Sequence, residues 1–324
     1  MLKRTFLAAC VAATATFAAG VSPAHAQSNW PQKPIRLIVP YPPGGPVDSL
    51  GRAIAPALGK ELGQPIVIDN KAGASGTIGM AAAMKAEPDG YTFGFGVPGA
   101  ITVLPHLQKL PYSVDEIQYV SLVARVPQVI VASPKAAIGS LQDVIAKAKE
   151  QPGKLNYGSA GNATTPHLGA ELFAQEAGVK LTHVPYKGAA PVLTALLGGE
   201  IEIAALDLSA VLPFVSQGVK ILAVSGPSRV PVLPNVATTS ELGLPKVQSE
   251  SAYGIIAATG TPPAIVQKFR DALVKVLDSK DVKDRIAAQG AIAQSSTPEA
   301  YKKMMQADSI KWATVLKKGN ITLD

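Results

Sequence analysis

From Ile35 onward, short runs of β-branched and other apolar residues alternate with longer stretches of helical periodicity. Ile35 to Val39 reads as a buried strand, and a loop from Pro40 to Val47 follows it. Asp48 to Leu62 then puts Leu50, Ile54, Leu58 and Leu62 on one helical stripe, with Gly63 as the stop. Pro56 inside that stretch predicts a kink. The pattern recurs with strands at Ile66 to Ile68, Tyr91 to Phe95, Leu155 to Tyr157, Thr182 to Val184, Ile201 to Ala205 and Lys220 to Val224. Helices are expected up to Lys85 and at Ser140 to Glu150, Pro166 to Ala177, Ala190 to Leu197, Pro262 to Leu277 and Pro298 to Leu316. Strands that are apolar throughout must be covered on both faces, which makes the expected class α/β with parallel-rich sheets.

Two runs break this alternation. Val120 to Ser133, interrupted by Pro127, and Ser249 to Ala258 are extended stretches with no helix to turn them back. They separate about 120 residues from the rest, an ordinary domain size. The expected organisation is therefore a discontinuous first domain, residues 27–124 and 254–324, and a second domain, residues 125–253. Two crossing strands that join two α/β lobes are the wiring of a hinge-bending solute receptor.

Ahead of this, Lys3 and Arg4 precede an uncharged stretch from Thr5 to Val21, and Ala24-His25-Ala26 forms a small-x-small site. Residues 1–26 thus read as a secretory signal peptide, whose removal places the chain in a periplasm-like compartment. A lipobox reading of Leu7-Ala8-Ala9-Cys10 is disfavoured, because it leaves only Thr5 to Ala9 as apolar segment. Cys10 is the one cysteine, so the exported chain is expected to hold neither disulfide nor thiolate chemistry. Removing Lys3 and Arg4 lowers the formal charge from +7 to +5. That charge is diffuse and aromatics make up 5% of the chain, which argues against nucleic-acid binding.

Ligands of open parallel sheets sit beyond the carboxyl ends of strands, and five loops there are unusual. They are Tyr41-Pro42-Pro43-Gly44-Gly45-Pro46-Val47-Asp48, Lys71 to Thr77 around Ser75, Gly96-Val97-Pro98-Gly99-Ala100, Tyr157 to Pro166, and Asp207-Leu208-Ser209. Prolines stiffen them, glycines let main-chain N–H groups approach a ligand, and Asp48 suits the N-cap of the next helix. Small side chains, hydroxyls and helix starts together hold an anion without a counter-ion. Tyr41, Val47, Ser75, Val97 and Pro98 are candidates by this position.

Catalytic templates do not fit. Gly158-Ser159-Ala160-Gly161 and Gly73-Ala74-Ser75-Gly76 lack one glycine of the nucleophile elbow. Gly94-Phe95-Gly96-Val97-Pro98-Gly99 has the dinucleotide spacing, yet Pro98 removes an amide that pyrophosphate needs. His106, His167 and His183 have no carboxylate or histidine at metal-ligand spacing, so neither metal nor cofactor is expected. His183 and Lys187 are the best candidates for a role beyond packing, and Lys187 suits an anion. Asp207 suits a ligand's hydroxyl or ammonium, or a cap on the following segment.

Tyr41 to Asp48, Asp69-Asn70-Lys71-Ala72-Gly73, Glu87-Pro88-Asp89-Gly90-Tyr91-Thr92, His183-Val184-Pro185-Tyr186-Lys187-Gly188 and Ile321-Thr322-Leu323-Asp324 resemble the Bug (Bordetella uptake gene) family, in order and over nearly the whole exported chain. The resemblance implies a periplasmic solute receptor of a tripartite tricarboxylate transporter. It would have a two-domain periplasmic-binding-protein fold (type II), act as a monomer without enzymatic activity, and close over a small carboxylate for delivery to membrane permease subunits. It further implies that Pro43, Gly44, Gly45 and Asp48 of the first domain hold the carboxylate with Ser159, Ala160, Asn162, Thr164, Thr165 and Asp207 of the second. The chain departs from the family pattern at Pro46-Val47, at Val97 to Ala100 and at Leu206-Asp207-Leu208, where hydrogen-bonding groups give way to apolar ones. A ligand less polar than citrate or aspartate is expected, such as an aromatic or longer-chain carboxylate. A sensory receptor that presents its ligand to a signalling partner would use the same lobes and is the alternative.

Overall fold

The computed structural model describes residues 30–323; the expected signal peptide and Cys10 lie outside the described residues. Strands β1 (Ile35–Val39), β2 (Ile66–Asn70) and β3 (Thr92–Gly96) are parallel, with helices α1 (Pro46–Leu62) and α2 (Thr77–Met84) between them. A π-helical turn (Gly99–Val103) leads towards the long strand β4 (Gln118–Ala132). Next come α3 (Leu141–Glu150), β5 (Asn156–Ser159), α4 (Thr165–Ala177), β6 (Thr182–Pro185), α5 (Ala189–Gly198), β7 (Ile203–Asp207), α6 (Leu208–Val211) and β8 (Lys220–Ser225). The described chain ends with β9 (Glu250–Ala257), α7 (Pro263–Asp278), α8 (Lys280–Ala288), β10 (Ile292–Ala293) and α9 (Pro298–Gly319).

The sheet runs β2-β1-β3-β9-β4-β7-β5-β6, with β8 and β10 also paired to β4. β4 changes partners along its length. Gln118 to Pro127 lies against β9, whereas Gln128 to Ala132 lies between β7 and β8. The sheet therefore has two sections that share one strand. Strands are parallel on both flanks and antiparallel through β4 and β9. Those two strands reverse the chain between the sections without the helical crossover that a parallel pair requires.

The first section packs one large core, in which Phe93 stacks on Phe269 at 3.8 Å between centroids and Trp312 and Tyr301 are fully buried. The second has a core on each face. Ile130 and Ala132 of β4 meet Tyr157 and Phe173, whereas Val129 and Val131 meet Val192 and Leu196. This alternation is the period-two geometry of a strand buried on both sides. Helix α1 starts earlier than its periodicity suggests, with Gly45 as N-cap and Pro46 in the first turn, and it runs unbroken through Pro56. Asp48 is therefore not the N-cap; it is the third helical residue.

Candidate ligand-binding cleft

The strand-end loops of the two sections meet around a cavity of about 110 Å³. Three helix starts line it: Pro46 and Val47 of α1, Thr165 and Pro166 of α4, and Ala189, Ala190 and Pro191 of α5. The N-caps of α1 and α5 are Gly45 and Gly188, so neither helix has a side chain on its first amides. Such amides have no intrahelical acceptor and carry the positive end of the helix dipole. The α4 start is capped by Thr164, whose Oγ1 accepts from the His167 N–H at 3.5 Å and donates to the Gly161 carbonyl at 2.8 Å.

Of the residues expected from sequence, Tyr41, Pro43, Gly45, Val47, Pro98, Ala160, Thr164, Thr165 and Asp207 line the cavity. Gly44, Asp48, Ser75, Val97, Ser159 and Asn162 do not; most of them hold the lining loops in shape. Asp48 is 2% exposed and organises the first loop from below. Its Oδ2 accepts from the Gly44 N–H at 2.9 Å and from Arg52 Nε at 2.8 Å, and its Oδ1 accepts from Asn70 Nδ2 at 3.0 Å. Burial works to raise this carboxyl, but the Arg52, Gly44 and Asn70 donors outweigh it and hold Asp48 below the usual range.

The second-section loop is set by neutral groups. Ser159 Oγ lies 2.6 Å from His183 Nε2, and His183 stacks on His167 at 3.9 Å between ring centroids. His167 Nδ1 accepts the Ala163 N–H at 3.1 Å, which supports Ala163 at φ 58°. Burial pushes His167 down to about 3 and His183 down to about 4, so both rings are neutral near pH 7. Two contacts join the sections at the cavity rim. Ser75 Oγ donates to the Asn162 carbonyl at 2.8 Å, and Gly99 packs so closely on the second loop that a Cβ there would lie 2.6 Å from the Ala163 carbonyl oxygen.

Asp207 is the one acid that lines the cavity. It occupies the N-cap position of α6 but makes no side-chain cap; instead its Oδ1 accepts from Ser251 Oγ at 2.7 Å and its Oδ2 from the Tyr253 hydroxyl at 2.5 Å. Burial pushes Asp207 up to about 6, against the lowering effect of these donors. Tyr253 and Pro191 line the cavity without any signal in the loop sequences, whereas Pro42 and Gly99 of the loops, Leu206 beside Asp207, and Lys187 were visible there and do line it. A Gly-Pro signal marked the loops, but nothing local marks Tyr253, which reaches the site from a crossing strand. A larger open groove of about 1180 Å³ runs along α9, with Ile101, Tyr119, Met305 and Ile310 in its lining, and no start of a full α-helix converges on it.

Residues 50–321 match the tripartite tricarboxylate transporter family receptor (TctC) family. BugT of Bordetella pertussis is 35% identical over 304 residues, which span 92% of this chain and 93% of BugT. Among solved structures, R. palustris Rpa4515 with adipate has a TM-score of 0.87 at 33% identity, covering 91% of this chain and 99% of that one. MatC from Rhodopseudomonas palustris with bound malate has a TM-score of 0.82 at 30% identity, covering 89% and 100%. With a family match over most of its length and a relative of this identity over nearly all of it, this chain belongs to the tripartite tricarboxylate transporter receptor family.

Proposed function

We propose that the chain is a periplasmic solute-binding receptor that captures a small organic carboxylate between its two sections and delivers it to the membrane subunits of a tripartite transporter. The observation that carries this reading is the convergence of three helix starts on one cavity, two of them without side-chain caps. Such a site stabilises an anion by main-chain donors and helix dipoles, each contact contributing roughly 0.3–2 kcal/mol. Pro43, Gly45, Val47, Pro98, Ala160, Thr164 and Thr165 form its walls, and Gly44, Asp48, Ser75, Val97, Ser159 and Asn162 keep those walls in position. Residues 27–124 and 254–324 would move as one body against 125–253, through β4 and β9, to admit and enclose the ligand. Export through a cleaved signal peptide and a monomeric working state belong to the same reading.

The wall also narrows the ligand. Pro42, Pro43, Pro46, Val47, Pro98, Pro166, Pro191 and Leu206 supply apolar surface around the few donors. A carboxylate with a hydrocarbon body fits this lining better than one studded with hydroxyls or further carboxylates, because unpaired polar groups pay a desolvation cost there. A thermal-shift screen with adipate, malate, benzoate and citrate tests both statements. Ligand at 100 times its Kd raises stability by about 2.7 kcal/mol. Adipate or benzoate is expected to raise the melting temperature most. A larger shift with citrate overturns the apolar-ligand statement, and no shift with any of the four overturns the receptor reading.

A further inference from the structure

A cavity built to attract an anion has a carboxylate in its own wall. Asp207 is 3% exposed, and among the described residues no cation lies within ion-pair distance of it. The groups that face it are known from each element around it. Ser251 and Tyr253 of β9 donate to it, and Gln128 of β4 stands opposite it in register, its side-chain amide near enough to favour the ionised acid although no hydrogen bond of normal geometry joins the two. The Tyr41 phenol, from the loop after β1, is pushed up by burial and then by the Asp207 charge. On α4 and β6, His167 and His183 are uncharged near pH 7. Lys187 lines the same cavity from an exposed position ahead of α5, and no ion pair joins it to Asp207.

We propose that Asp207 is a specificity-determining residue through which the cleft takes its carboxylate together with one proton, the Asp207 carboxyl then donating a hydrogen bond to the bound anion. The proposal rests on the receptor reading above. Two carboxylates that share a water-poor site do not both ionise, so the arriving anion forces a proton onto one of them. Asp207 is the partner already disposed to hold it, since burial raises it to about 6 in spite of the donors around it. The surrounding donors tolerate the change. A protonated carboxyl keeps lone pairs for the Ser251 and Tyr253 hydroxyls and still has one O–H to give. The proton comes from solvent and returns to it on release, so the occupied cleft is one charge less negative than the sum of its separate parts.

Isothermal titration of adipate and of malate, in two buffers of different ionisation enthalpy, counts this proton directly. The intact protein is expected to take up close to one proton per ligand at pH 8 and about half a proton at pH 6. Its affinity should fall about tenfold per pH unit above pH 7. Asp207→Asn, whose amide donates without titrating, should take up none, bind with pH-independent affinity between pH 6.5 and 8.5, and bind at least about tenfold tighter than the parent at pH 8. Binding without proton uptake in the intact protein overturns the proposal. So does an Asp207→Asn variant that folds and binds more weakly than the parent at every pH, which assigns Asp207 as an acceptor for a ligand ammonium or hydroxyl. If that variant fails to fold, the proton count of the intact protein still decides. No binding heat with either acid at any pH overturns the receptor reading, and this proposal with it.

Discussion

The two loops that face each other across the cavity are made rigid by different means. The Tyr41 to Val47 loop is held by ring closure and charge: Pro42, Pro43 and Pro46 fix three φ angles, Gly44 supplies a φ of 82°, and one buried carboxylate, Asp48, gathers its base. The Ser159 to Thr165 loop is held by uncharged groups, through the Ser159–His183 and Thr164–Gly161 hydrogen bonds and the pair of stacked histidines. Both line one space. The first stays ordered as long as Asp48 is ionised, and the second as long as its histidines are not. A receptor of this design has a working window bounded on the acid side by its second loop before its first.

The largest expected effect breaks the first loop. Asp48→Ala strips Arg52, Gly44 and Asn70 of a shared acceptor, and hydrogen bonds to charged groups contribute about 1.5–3 kcal/mol each. Arg52 is more than half exposed and recovers water, so denaturant titration should show a loss of about 2–4 kcal/mol, with ligand affinity falling alongside. A loss under 1 kcal/mol would mean the prolines alone hold the loop.

Gly99→Ala addresses the contact between the loops and not either loop by itself. Its Cβ would meet the Ala163 carbonyl at 2.6 Å and Thr164 Cα at 3.1 Å, both main chain and unable to swing aside. Overpacking costs about 1–3 kcal/mol, so affinity should fall roughly 5- to 150-fold. Equal affinity in calorimetry would show that the sections bind ligand without this approach.

The second loop should respond to acid. His167 is pushed down to about 3 in the folded chain, against about 6.5 unfolded, so below pH 6.5 the unfolded chain binds a proton that the folded one refuses. Stability is complete above pH 6.5 and falls on acidification, by about 2 kcal/mol from this residue at pH 5. Asp207 works in the opposite direction between about pH 4 and 6, because its folded value is raised. His167→Asn offers an oxygen to the Ala163 N–H and leaves Asp207 untouched. The difference between variant and parent in unfolding at pH 7.5 and pH 5 therefore isolates the histidine, and parallel curves would remove it as a source of acid sensitivity.

The smallest effect is Thr164→Ala. It removes the α4 cap and the Gly161 contact, at a cost of about 1 kcal/mol in unfolding. Affinity should drop by several-fold, because the loop frays where it meets the ligand. No change in either quantity would show that His167 and Ser159 hold the second loop unaided.

Much of the fold was legible because its strands and helices differ in period and its loops carry glycine and proline. The long runs at β4 and β9 stood out as crossings for want of a helix between strand and strand. Helix α8 was missed because only Val282 and Ile286 of its nine residues are buried, too weak a stripe to read. Asp48 was misplaced since cap preference is a local signal, whereas Gly45 takes the cap and Asp48 serves Asn70, 22 residues away. The Asp207 environment is still less local: Tyr253 and Ser251 are 46 and 44 residues distant. Chain proximity shows where a loop is; only the pairing of β7 with β4, and of β4 with β9, shows what lies beneath it.

The strand shared by both sections has one last consequence. Ten residues of β4 complete the first half of the sheet and five complete the second, so neither half has a finished edge of its own. A fragment ending before Gln118 would lose β9 as well and leave β3 with a bare row of amides and carbonyls, and one beginning after Ala132 would do the same to β7 and β8. Assembly of the two halves is thereby made concerted: the ribbon that joins them is also the seam without which the molecule does not come together.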